Sequence, residues 1–94
     1  MDTEGSLHIV WLNKGEMREP QFVVKFWRYQ AAASEAKSRT FLGEEALWEF
    51  LAYSLRVGGD HIGAAFADLR QKGSAEINSL NILADDLRRF ELDD

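Results

Sequence analysis

Residues 21–29, Gln-Phe-Val-Val-Lys-Phe-Trp-Arg-Tyr, carry the most informative pattern of the chain: a strand with apolar side chains on both faces. Successive side chains of a strand point to opposite sides. Phe22, Val24 and Phe26 therefore share one side, and Val23, Lys25, Trp27 and Tyr29 share the other. The first set is an ordinary core face. The second mixes large aromatics with a cation, a composition that calls for cover by a helix of the same chain, another subunit or a ligand. Upstream, residues 7–12 carry Ile9, Val10 and Trp11 and read as a first strand. Asn13-Lys14-Gly15 follows as a turn, because Gly tolerates positive φ and Asn favours loops. Pro20, the single proline, suits the entrance to the second strand. The two strands are expected to pair as an antiparallel hairpin. A matching register would put Ile9 and Trp11 beside Phe22 and leave His8, Val10 and Leu12 with Trp27 and Tyr29; the reverse register stays open.

Residues 30–36 are alanine-rich but too few for an isolated helix, and read as a loop leading to a third strand at 38–42. From Gly43 the period changes to that of a helix. Leu47, Phe50, Leu51, Ser54 and Leu55 make a stripe over residues 44–57, widened by Trp48 and Ala52, with Glu44 and Glu45 in the first turn to suit the macrodipole. Gly58-Gly59 should end this helix, and Asp60 should cap a second one over residues 61–72. That helix buries Ile62, Ala65, Phe66 and Leu69, has Arg70 and Lys72 in its last turn, and stops at Gly73. Residues 75–83 are predicted as a fourth strand with a break or bulge near Asn78-Ser79. Residues 85–92 are predicted as a short terminal helix presenting Leu87 and Phe90. The expected fold class is α+β, in the order βββααβα: a mostly antiparallel sheet of three to four strands, packed on a two-helix hairpin. Residues 1–94 are read as one domain, with frayed termini at 1–6 and 92–94.

Composition narrows the function classes. With 46% hydrophobic, 12% aromatic and 29% charged residues the chain has the material for one core. It contains no cysteine, which removes disulfides and thiolate chemistry. Its start is acidic and polar, unlike a signal peptide, and no apolar run has the length of a membrane span, so a cytoplasmic protein with no membrane association is expected. The net charge of −5 is uneven: six Lys/Arg against five acids over residues 1–42, five against eleven over residues 43–94. An acidic total is unfavourable for strong nucleic-acid binding, which draws on phosphate neutralisation.

Candidate chemistry is sparse. His8 and His61 lack zinc-ligand spacing, and Asp60-His61 are adjacent helix residues that do not face each other. Glu45 and Glu49 are four apart, a spacing that more often solvates a helix face than makes a catalytic carboxylate pair. Gly58-Gly59-Asp60 before a helix lacks the phosphate-binding lysine, and no serine sits in a nucleophile-elbow context. No metal, no cofactor and no enzymatic activity are therefore expected. The sequence reading is a small interaction module, self-associating as a homodimer through a sheet face or edge, with Val23, Lys25, Trp27, Arg28, Tyr29 and Arg39 as candidate contact residues. The alternative is a single-stranded nucleic-acid-binding module in which Trp27 and Tyr29 stack bases and Lys25, Arg28 and Arg39 meet phosphates. A third class is a small-molecule binder with a pocket between sheet and helices.

Overall fold

One asparagine organises the first turn. Asn13 Oδ1 accepts from the Trp11 indole at 3.0 Å and from the Gln21 backbone N–H at 2.8 Å, and its amide donates to the Glu19 carbonyl at 2.9 Å. These bonds fix where β1 (Asp2–Trp11) ends and β2 (Gln21–Arg28) begins. In the computed structural model, residues 2–28 and 37–83 are described. The hairpin is antiparallel, with Val10 opposite Val23, His8 opposite Lys25 and Ser6 opposite Trp27, which is the matching register. β1 starts five residues earlier than the strand predicted at 7–12, because the last strand is long enough to pair Asp2 with Leu83.

β3 (Lys37–Leu42) lies against β2, and β4 (Ser74–Leu83) lies against β1, giving a four-stranded antiparallel sheet in the order β3-β2-β1-β4. Between β1 and β4 the register shifts at Gly5/Leu7: Leu7 pairs with Ile77, whereas Gly5 pairs with Leu80. Asn78 and Ser79 thus oppose the single residue Ser6, a bulge where the sequence predicts one.

Two helices connect β3 to β4 and cross the sheet from one edge to the other. α1 (Glu44–Glu49), with Gly43 as N-cap, continues into a π-helical turn over Phe50–Ser54. There Leu55 N–H donates to the Phe50 carbonyl at 3.0 Å, and Val57 N–H to the Leu51 carbonyl at 2.8 Å. The wider turn brings Phe50, Leu51, Leu55 and Val57 all inward. It also ends the helix before the predicted residue 57: Arg56 has a φ of 57°, the left-handed region, and breaks the ladder. Trp48 does not widen the buried stripe as predicted; it is 42% exposed on the outer side. α2 (Gly59–Lys72) begins two residues before its predicted start, so Gly58 is the N-cap and Asp60 falls in the first turn, where its charge suits the dipole. Gly73, with a φ of 82°, closes α2 by donating its N–H to Leu69.

The core lies between helices and sheet. Leu7 and Ile9 from β1, Phe22, Val24 and Phe26 from β2, and Ala75 and Ile77 from β4 meet Leu47, Leu51, Ile62 and Leu69 from the helices, all buried. Trp11 packs at the rim of this cluster, 5.8 Å from the Phe22 ring centroid to centroid. No helix among the described residues is long and apolar enough to cross a membrane. The loop at 30–36 and the terminal helix predicted at 85–92, with Leu87 and Phe90, lie outside the described residues.

Candidate functional site

Because α1, the π turn and α2 all pack on the side of Leu7, Ile9, Phe22 and Val24, strand parity assigns the alternate residues to the other side of the sheet. That second face is arranged in rows across the strands. At one end the row Leu12–Gln21–Leu42 sits beside the row Ser74–Val10–Val23–Thr40. Val10 is 39% exposed, Leu12 54% and Leu42 60%. The middle row is polar and charged: Glu76 in β4, His8 in β1, Lys25 in β2 and Ser38 in β3 stand side by side. Beyond it come Ser6 and Trp27.

Within the middle row His8 Nε2 and Glu76 Oε2 are 3.2 Å apart, and both side chains are part-exposed. The imidazole also meets Trp27 edge-on, with centroids 4.8 Å apart and the rings inclined at 80°. His8 is therefore held by a carboxylate on one flank and an indole on the other. Lys25 is exposed. A groove of about 220 Å³ runs along the β4 side of this row, lined by His8, Val10, Ser74 and Glu76 with Asp68 and Lys72 of α2. Among the described residues no cluster of three or more His, Asp or Glu forms a cation site.

The structure brings Val23, Lys25 and Trp27 together on this face, as the alternation in β2 predicts. Arg28 ends β2 opposite Gly5. Tyr29 lies outside the described residues. Arg39 has to be reassigned: it pairs with Val24 and so stands on the helix side of the sheet, away from Lys25 and Trp27. Its guanidinium lies 5.2 Å from the Phe41 ring centroid and 5.4 Å from that of Phe50, and those two rings are themselves 4.7 Å apart. Arg39 is thus the polar lid of an aromatic cluster at the sheet edge. Arg39→Ala is expected to cost about 1–2 kcal/mol of stability, whereas Lys25→Ala should stay within about 0.5 kcal/mol. Equilibrium urea unfolding of the two variants separates these roles, and equal losses would contradict the assignment of Arg39.

One contact of the site is not legible in the sequence. Glu76 was part of a predicted strand with no assigned partner, and only the β1–β4 register sets it against His8. His8 and His61 do not converge, since His8 is on the second face and His61 is exposed at the start of α2, which packs on the first. Trp48 and Tyr53 form an edge-on pair, 5.5 Å apart, on the outer side of the first helix. Comparison with protein-family models, with curated proteins and with solved structures finds no match to this chain.

Proposed function

We propose that this protein is a non-enzymatic interaction module that self-associates, as a homodimer, through the sheet face opposite its helices. The observation that carries the reading is the exposure of Val10, Leu12 and Leu42 together at one end of that face. Exposed apolar side chains in two adjacent rows, Val10 and Leu12 at the end of β1 and Leu42 at the end of β3, form a patch, and patches of this kind mark interaction surfaces. The face suits this role better than the sheet edges do. β4 carries the Asn78-Ser79 bulge, and β3 is only 6 residues long, two devices that discourage strand addition.

The nucleic-acid reading has less support. Its platform loses Arg39 to the helix side and gains the carboxylate of Glu76 within the central row. A carboxylate there opposes the phosphate contacts on which such binding depends.

Sedimentation velocity over a range of micromolar concentrations tests the proposal. The wild-type chain is expected to shift from monomer to dimer as concentration rises. Leu12→Lys should move the balance to monomer by about tenfold in dissociation constant, with thermal stability altered by no more than about 0.5 kcal/mol. A wild-type chain that stays monomeric throughout would refute the reading.

A further inference from the structure

Resting on that self-association, we infer that the two copies are related by a two-fold axis parallel to the strands. It runs along the middle of the sheet, so that Lys25 of each copy sits against the His8–Glu76 pair of the other. The inference comes from the order of charge in the central row. Across the sheet, Glu76 lies in β4, His8 in β1 and Lys25 in β2, with acid and cation on opposite sides of β1. His8 and Glu76 are already joined at 3.2 Å, so the acid end of the row is a fixed carboxylate–imidazole pair.

Two sheets stacked face to face keep their strands nearly aligned, roughly 10 Å apart. An isologous dimer then has two ways to place its axis in the interface plane. An axis lying along the row, across the strands, stacks Lys25 on Lys25 and Glu76 on Glu76, and like charges opposed across an interface are strongly unfavourable. An axis along the strands exchanges the two halves of the row. β2 of one copy then lies over β1 of the other and β3 over β4, which sets Lys25 over His8, one strand from Glu76, and the small Ser38 over Glu76. The same operation lays Val23 on Val10, apolar on apolar, and places Trp27 over the small Ser6. The sequence of one row thereby selects both the occupant, a second copy, and its orientation. The polar row fixes the register, and the Val10 and Val23 rows supply the dry contact.

Charge reversal in reciprocal pairs tests this geometry. Lys25→Glu alone and Glu76→Lys alone should each weaken self-association by about tenfold or more, because each homodimer then opposes two like charges. An equimolar mixture of the two variants should recover dimer. In the mixed dimer the introduced acid of one variant faces the introduced cation of the other, and the native Lys25 of one faces the native Glu76 of the other. The double variant Lys25→Glu/Glu76→Lys should dimerise as the wild type does. Both positions are exposed, so the single variants should fold, which circular dichroism checks; Lys25→Gln and Glu76→Gln make a second, milder series expected to weaken association in the same direction. A wild-type dimer indifferent to both reversals, or a mixture no better than its components, would overturn the axis while leaving self-association in place. A monomeric wild type would remove both.

Discussion

A Gly5→Val chain is expected to lose its native fold at ordinary temperature, or to melt far below the wild type. Gly5 lies where three strands meet: it pairs with Arg28 in β2 and with Leu80 in β4, next to the bulge. A Cβ added at this position overlaps the Trp27 carbonyl oxygen, and it stands 2.8 Å from both the Trp27 carbonyl carbon and the edge of the Phe26 ring. Phe26 is 1% exposed and packed within the core, so its ring has little room to yield. The carbonyl belongs to the backbone of β2, so yielding there means opening the β1–β2 ladder. Overpacking a core typically costs about 1–3 kcal/mol when side chains yield. A backbone collision exceeds that, against a total stability on the order of 5–15 kcal/mol. Gly63→Ala provides the control, because a Cβ there meets nothing within 4 Å. In the middle of α2 that change should stabilise by up to about 1 kcal/mol. Thermal unfolding followed by circular dichroism reads both, and a Gly5→Val chain as stable as wild type would show that β1 and β2 do not approach in this way.

Phe22→Ala is the second large effect, a loss of about 3–5 kcal/mol in urea unfolding. Phe22 is 1% exposed, pairs with Phe41 in β3 and touches Trp11 in β1. It therefore anchors both neighbours of the central strand beneath the helices. Removing the ring leaves a cavity bounded by elements that cannot collapse independently, which is the costly case. Val10, next to the buried Ile9 but on the other face, should tolerate alanine within about 1 kcal/mol, since much of its surface is in water in the monomer. Equal losses at 22 and 10 would mean that the two faces of the sheet are not distinguished as described.

The strands that carry these residues illustrate what could be read without coordinates. In β2 the even positions Phe22, Val24 and Phe26 are all apolar while the odd set includes Lys25, and that one charge makes the core side of the strand legible from sequence. In α2 the spacing of Ile62, Phe66 and Leu69 marks the buried stripe, and Gly73 marks the stop. β3 is different. Its two parities each offer one bulky apolar residue, Phe41 on one and Leu42 on the other, so alternation leaves the strand's orientation undetermined. The pairing of Phe22 with Phe41 decides it, and with it the side on which Arg39 stands. Trp48 lies one residue, about 100° of helical turn, past the buried Leu47, and that places it on the outer side of α1.

Local periodicity and turn chemistry thus determined the four strands and two helices among the described residues, their order, and the position of the bulge at Asn78-Ser79, because each depends on residues close in the chain. The union of His8 with Glu76, the exile of Arg39 from Lys25 and Trp27, and the crowding around Gly5 were decided only by tertiary structure. Each rests on the register between strands far apart in sequence, and a shift of one residue there exchanges the two faces of a sheet.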